Sequence, residues 1–241
     1  MEKTERLRSI IQQSNDIVFF SGAGISTESK IPDFRSQDGI YQQKKYPYPA
    51  EVMLSHSFYL KHTKEFYDFY FNEMIYEKAQ PNVGHDALTR LMKQGKLKAI
   101  ITQNIDGLHQ KSGSEIVYEL HGSVHRNYCT RCGKFYDLQQ MLKFKDDIPT
   151  CECGGIIKPD VVLYEEGLDN RVMSKSIEAI EKADCLIVGG TSLVVYPAAG
   201  LLQYFRGKHL VLINKDKTSY DDQADLVIHD SLGKVLNEAI D

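Results

Sequence analysis

An α/β fold, a Rossmann-like doubly wound parallel sheet beside a smaller lobe, is what this sequence predicts on three observations. Short apolar runs at residues 17–20, 99–101, 184–188 and 209–213 alternate with stretches of helical periodicity. These runs end in glycine, hydroxyl or amide residues, as buried parallel strands do where they feed a turn. Two close cysteine pairs, Cys129/Cys132 and Cys151/Cys153, each followed by glycine, mark out a small unit between the second and third runs.

A chain of 241 residues is long enough to bury a sizeable core, as one domain or as a large domain with a small one. The formal charge of −4 offers no broad basic surface, so a nucleic-acid partner is not expected. No apolar segment is long enough to span a bilayer and no charged-then-apolar leader opens the chain, so the expectation is a cytoplasmic protein without membrane contact.

Leu7, Ile10 and Ile11 recur at helical spacing within residues 1–14, which predicts a short packing helix ahead of the first strand. That strand, residues 17–20, runs into Ser21-Gly22-Ala23-Gly24-Ile25-Ser26. Without a Cβ, Gly22 and Gly24 permit unusual dihedrals and a close approach to a pyrophosphate, and free N–H groups at a helix start favour negative charge. The pattern is an incomplete G-x-G-x-x-G, with Thr27 in place of the third glycine, and such turns are also ordinary structural punctuation. Pro32-Asp33-Phe34-Arg35 adds a rigid turn, a carboxylate, a ring and a guanidinium just beyond it. The irregular stretch that follows, with Asp38-Gly39 and Tyr46-Pro47-Tyr48-Pro49, suits a loop beside a ligand.

Eight aromatic residues between Phe58 and Tyr76 fall at helical spacing, which predicts core-forming helices rather than a ligand cage. His85, ahead of a helix over 86–93, reads as a cap or a surface residue. The strand over 99–102 delivers Gln103, Asn104 and Asp106 at its carboxyl end, where ligands sit in α/β sheets, although Asn104 and Asp106 also suit an Asx turn. His121 follows a strand-like run at 116–120 and precedes a glycine, and an imidazole there titrates near neutral pH as a general base needs. His125 has no such placement. The four paired cysteines have the spacing of two knuckles around one tetrahedral zinc ion. Four thiolates leave no position for water, so the metal would be structural, and without a secretion signal disulfides are disfavoured. The second knuckle is C-x-C, tighter than C-x-x-C. Cys185 falls inside an apolar strand and reads as core. Leu138, Met141 and Leu142 suggest a small helix between the knuckles, and residues 170–182 a longer one. Gly190-Thr191-Ser192 then repeats the strand-and-glycine-turn pattern, and Asn214 ends the strand over 209–213.

Taken together, the GAGIS stretch, PDFRS, QNID, His121-Gly122, the paired cysteines, Gly190-Thr191-Ser192 and Ile213-Asn214 resemble the sirtuins, the NAD-dependent protein lysine deacylases, in their bacterial, single-domain type. The resemblance covers nearly the whole chain. It implies one catalytic domain over 1–241, with 1–122 and 159–241 as the Rossmann-like part, a helical insertion at about 36–80 and a zinc-binding part at 123–158. It places NAD against Gly22, Ala23, Gly24, Thr27, Phe34 and Arg35, against Gln103, Asn104, Ile105, Asp106 and His121, and against Gly190, Thr191, Ser192, Asn214 and Leu232. Ile105 and Asp106 would line the nicotinamide pocket, and Gln103 and Asn104 the ribose. His121 and Asn104 would be catalytic, Cys129, Cys132, Cys151 and Cys153 would hold zinc, and Val161 and Tyr164 would wall the acyl-lysine pocket beside a segment that binds the peptide by strand addition. Where sirtuins read V-V-x-F-G-E, this chain has Tyr164 for the Phe and Glu165 for the Gly.

The activity implied is deacetylation of a protein or peptide lysine with release of nicotinamide and O-acetyl-ADP-ribose. Members that prefer acidic acyl groups carry Tyr-x-x-Arg in the helical insertion; the matching positions here are Tyr67 and Tyr70, so acetyl-lysine is expected over succinyl-lysine. A mono-ADP-ribosyltransferase and a deacylase of longer acyl groups are the alternatives. A nicotinamide dehydrogenase would share the glycine turn but reduce NAD, and a zinc-ribbon nucleic-acid binder would use the cysteines but not the acidic balance.

Overall fold

Leu7, Ile10 and Ile11 are the buried residues of α1 (Lys3–Gln13), as their spacing requires. The structure, a computed structural model, describes residues 2–34, 36, 39–40 and 45–240. After α1 comes β1 (Ile17–Ser21), buried at every residue, and then a 3-10 segment, Ala23–Ser29, where the sequence suggests a helix start. The insertion carries α2 (Ala50–Met53), α3 (His56–Lys61) and α4 (Thr63–Phe69), and α4 widens into a π-helical turn, Tyr70–Met74. The chain continues through α5 (Val83–Lys93), β2 (Leu97–Thr102), α6 (Leu108–Lys111) and β3 (Val117–Glu119). A small unit follows: β4 (Gly122–Cys129), β5 (Phe135–Tyr136), α7 (Leu138–Leu142) and β6 (Ile157–Val161). The last stretch is α8 (Asn170–Lys182), β7 (Cys185–Gly189), a 3-10 segment (Ala198–Tyr204), β8 (His209–Ile213), β9 (Leu226–Ile228) and α9 (Leu232–Ile240).

Six strands form one parallel sheet in the order β3-β2-β1-β7-β8-β9, and β5-β4-β6 form a separate antiparallel one. The large sheet grows outward from β1 in one direction and from β7 in the other, so its order reverses between those two strands. Side chains of β1 alternate between faces: Ile17 and Phe19 pack with α1, α5 and α9, while Val18 and Phe20 pack with Ile180 of α8 and with Leu201. Helices on both faces are what bury a parallel sheet whose strands are apolar throughout. The aromatic insertion forms a third apolar cluster with the small sheet; Phe66, Tyr67, Phe69 and Tyr70 are all fully buried in it. These rings are core, as their spacing predicts. The strand β9 carries no long apolar run and is not anticipated by the sequence pattern.

Two buried histidines face each other beneath β1. His85 closes a capping box at the start of α5, its Nδ1 accepting from the Asn82 N–H, and it is fully buried rather than at the surface. His109, on α6, bonds Ser21 Oγ through Nε2 at 3.0 Å. The ring centroids are 4.9 Å apart, and His85 Nε2 and His109 Nδ1 have no hydrogen-bond partner among the described residues. Burial favours the neutral ring, holding His109 well below the ordinary imidazole range and lowering His85 to about 4. In the unfolded chain both take up protons near pH ~6.5. The stability that the neutral pair contributes is therefore complete above that pH and is lost as pH falls through the folded values. Urea midpoints are expected to decline between pH ~6.5 and ~4, and His85→Gln to flatten that decline relative to the unsubstituted protein.

Candidate active site

The reversal of strand order brings the turns after β1 and β7 together. Gly22 N–H donates to Gly189 O at 3.1 Å, and Gly24 N–H donates to Gly190 O at 2.8 Å. A Cβ on Gly22 would lie 2.5 Å from Gly190 O and from Thr191 Cβ, and one on Gly24 would lie 2.6 Å from Gly190 Cα. Gly22 has a φ of −123°, open to any residue. These glycines are thus required by backbone-to-backbone contact and not by dihedral freedom, and their N–H groups are occupied rather than free for a phosphate. That corrects the physical reason drawn from the sequence for the turn.

Behind this contact lies a cavity of about 1080 Å³. Ala23, Gly24 and Thr27 line it from the β1 side and Gly190, Thr191, Ser192, Asn214 and Leu232 from the β7 and β8 side. Asn214 clamps the Thr191 main chain: its Oδ1 accepts from Thr191 N–H and its Nδ2 donates to Thr191 O, each at 2.9 Å. Gln103 Nε2 donates to Thr191 Oγ1 at 3.1 Å, joining the β2 turn to the same segment. Gln103, Asn104, Ile105, Asp106 and Phe34 form the next part of the wall. Gly22 sits behind the lining, and Arg35 lies outside the described residues, as does Asp38 of the loop.

Sequence reasoning missed Ser26 as a site residue. Its hydroxyl accepts from Asn104 Nδ2 at 3.1 Å and donates to Asp106 Oδ2 at 2.7 Å, so it links the GAGIS turn to the QNID turn across the cavity. The signal was its place two residues beyond Gly24 in an otherwise small-residue turn. Asp106 Oδ1 accepts from Leu108 N–H at 2.9 Å, so an Asx-type turn and a cavity position coexist. Burial raises the Asp106 carboxyl above its ordinary range, opposed by the Leu108 N–H and the Ser26 hydroxyl.

His121 points into the cavity with a defined tautomer. Its Nδ1 lies 2.9 Å from Gln103 O, and a carbonyl only accepts, so Nδ1 carries the proton and the neutral ring keeps its lone pair on Nε2. Burial lowers its pKa and the Gln103 carbonyl opposes that shift. Gly122, at φ +75°, holds this geometry: a Cβ there would stand 1.8 Å from Asp160 O, and Val162 N–H donates to His121 O at 3.0 Å. His125 is exposed and bonds Asp106 O through Nε2, outside the cavity lining. Val161 and Tyr164 line the far wall.

The four cysteines of the small unit converge as their spacing predicts, with all four Sγ atoms within 4.8 Å of one another. Cys129 and Cys153 Sγ are 3.4 Å apart and Cys132 and Cys151 Sγ 3.7 Å. A tetrahedron with Zn–S near ~2.3 Å has edges of about 3.8 Å, whereas a disulfide would need about 2.05 Å. The Arg131 and Cys132 N–H groups both point at Cys129 Sγ, as thiolate ligands require. The C-x-C knuckle closes without excluding any of the four, and the set can hold one zinc ion.

The family model described as the Sir2 family matches residues 22–197. The chain belongs to the Sir2 family. A Clostridium acetobutylicum protein named NAD-dependent protein deacetylase is 60% identical over 100% of this chain and 99% of its own length. One of the same name from Staphylococcus aureus is 43% identical over 96% of each. Among solved structures, a Sir2 complex with p53 peptide and NAD+ superposes with a TM-score of 0.86 at 36% identity, covering 100% of this chain and 98% of that one. Sir2Tm bound to a propionylated peptide gives 0.88 at 36% identity with the same coverage.

Two departures from the sirtuin pattern are resolved by the geometry. Glu165 takes the left-handed backbone, φ +75°, that glycine would adopt without strain, and its carboxylate accepts from Ser57 N–H and Oγ at 2.8 and 2.9 Å. Tyr67 and Tyr70, in contrast, do not line the cavity: Tyr67 OH is spent on Ile157 O at 2.7 Å, and Tyr70 OH is buried without a partner among the described residues. Both rings are packed in the aromatic core, as their helical spacing predicts.

Gly24→Ala is expected to lower stability by about 1–3 kcal/mol in urea unfolding, because the new methyl meets main chain that cannot yield. Metal analysis of purified protein is expected to give one zinc per chain, and Cys153→Ser to lower that ratio and the thermal midpoint together.

Proposed function

We propose that this Sir2 protein is an NAD-dependent protein lysine deacetylase, acting on acetyl-lysine proteins or peptides in the cytoplasm. The observation that carries the reading is the His121 ring, fixed through Nδ1 on Gln103 O so that a neutral, basic Nε2 faces the cavity. The cavity lies at the sheet's point of reversal, where dinucleotides bind in this architecture, and its wall offers amides, hydroxyls and a carboxylate on three adjoining turns. NAD fits that donor set, and when bound it supplies an electrophilic ribose carbon with nicotinamide as leaving group.

The protein's own groups then have separable tasks. Gly24, Thr191, Ser192 and Asn214 hold the adenosine and diphosphate half, with Arg35 as a further cation and Leu232 against the base. Asp106, oriented by Ser26 and the Leu108 N–H, receives the carboxamide beside Ile105, and Gln103 and Asn104 contact the ribose. Phe34 covers that pocket against the return of nicotinamide. His121 Nε2 takes a proton from a ribose hydroxyl and returns it as product lysine departs. Val161 and Tyr164 wall the acyl-lysine stem, and the segment after β6 takes the peptide main chain. Residues 123–158 act as a zinc-stabilised subdomain against the Rossmann-like remainder.

Mass spectrometry of an acetyl-lysine peptide with NAD is expected to show deacetylation matched by nicotinamide and O-acetyl-ADP-ribose, lowered by about 10²–10⁴-fold in His121→Ala. Radiolabelled ADP-ribose retained on protein, with the acetyl group untouched, would instead indicate a transferase. Because burial lowers the His121 pKa, the base is lost only as pH falls through that depressed value. The acid limb of kcat/KM is therefore expected to have its midpoint below pH ~6.5.

A further inference from the structure

The acyl-selectivity positions of the insertion are buried, yet a different polar side chain from the same segment does reach the cavity. Glu73 sits on the π-helical turn Tyr70–Met74, a wide turn that commonly re-aims side chains at functional sites. The residue is 6% exposed and lines the same cavity as His121 and Val161, next to Met74 and Tyr76. Its Oε1 accepts from Lys45 Nζ and from Tyr46 OH, both at 2.7 Å. Its Oε2 has no hydrogen bond to any described residue.

The surroundings give this carboxylate a direction. Phe34, Ile40, Leu54, Met74, Val161 and Leu163 belong to one apolar cluster and line the cavity together, so an apolar wall connects the proposed acyl-lysine stem with Glu73. Lys45 neutralises the pair only from outside: its side chain is 62% exposed against 8% for Glu73. The cation is screened by solvent and the anion faces inward. Tyr46 is itself fixed, its ring edge-on to Phe69 at 5.0 Å, so the carboxylate is held rather than free to swing.

We propose that Glu73 is a specificity-determining residue at the polar end of the acyl pocket, which accepts acyl chains with an apolar stem and a terminal hydroxyl and rejects chains that end in a carboxylate. A hydroxyl donates to Oε2, which no described residue bonds, whereas an acyl carboxylate brings a second negative charge into a poorly solvated space. The inference rests on the deacylase reading and supplies a reason for rejecting succinyl-lysine that does not depend on a missing arginine.

The test uses one peptide sequence carrying acetyl-, butyryl-, 3-hydroxybutyryl- or succinyl-lysine, with kcat/KM ratios compared within each enzyme so that altered stability cancels. Glu73→Gln removes the charge and keeps the shape, and the succinyl/butyryl ratio is expected to rise by about tenfold. Glu73→Leu removes the acceptor, and the 3-hydroxybutyryl/butyryl ratio is expected to fall by about fivefold. Ratios unchanged to within about twofold in both variants, less than the loss of one such contact, overturn the assignment. No turnover of any of the four peptides by the unsubstituted protein overturns the deacylase reading, and this assignment with it.

Discussion

The main-chain contact between the turns after β1 and β7 is the constraint on which the rest of the molecule depends. β1 and β7 are parallel neighbours with Ser21 opposite Gly189, although the chain between them builds β2 and β3 of the large sheet and all of the small one. Chain leaves β1 toward β2 and leaves β7 toward β8, in opposite directions, so a crevice opens where the two part. Whether that crevice is a cavity or a filled seam depends on how closely the turns meet. At Gly22, Gly24 and Gly190 they meet without side chains, and the space beyond them stays available to a ligand.

The proposed base is positioned from the other side, by the small sheet. His121 directly precedes β4, and Gly122 pairs with Val161 of β6, so a proposed catalytic residue and a proposed pocket wall are fixed to each other by main-chain geometry. The far end of the same strand pair is Cys129 opposite Ile157, at the cysteine cluster. A metal held there would close the ladder at one end, and the Gly122–Asp160 contact closes it at the other. Arg126 adds a lateral tie, bonding Glu119 at 2.6 Å and Asp160 at 2.8 Å, and so connecting β3 of the large sheet with β6 of the small one. A zinc ion held by the four cysteines would thus bear on the placement of Nε2 through two strands.

Much of this was legible in the sequence because apolar strands and cysteine spacing are local signals. The strand over 209–213 and the helix over 170–182 coincide with β8 and α8. Gln103, Asn104, Asp106 and His121 converge because strand ends in a parallel sheet share one edge, a rule that needs only the strands to be found. The glycines were found for an incomplete reason: which residues they approach is set by β7, far away in sequence. Ser26 was missed for the same cause, since its partners Asn104 and Asp106 are remote in the chain and its place in the small-residue turn after Gly24 is a weak signal by itself. Tyr67 and Tyr70 were legible as core because their aromatic spacing is a local helical signal. The widening of α4 into a π turn, on which Glu73 lines the cavity, leaves no periodic trace.

Glu165 shows how a departure from a family pattern is absorbed. A non-glycine residue in the left-handed region loses about 1–2 kcal/mol relative to an ordinary backbone. A side-chain cap on a helix start offsets about 0.5–2 kcal/mol, and here one carboxylate serves both Ser57 N–H and Ser57 Oγ at the first turn of α3. The two effects are of the same size, so the substitution is tolerable only with its capping contact. That contact does not stand alone: Tyr164 N–H donates to Leu54 O and His56 N–H donates to Tyr164 O, both at 2.9 Å, and Glu166 takes His56 Nδ1 at 2.7 Å and Lys158 Nζ at 3.2 Å. Glycine would lose only the two Ser57 contacts, since the Tyr164, His56 and Glu166 bonds do not use the side chain at position 165. With glutamate the same turn is tied further to the helical insertion, and the apolar wall from Val161 to Leu163 is held against it.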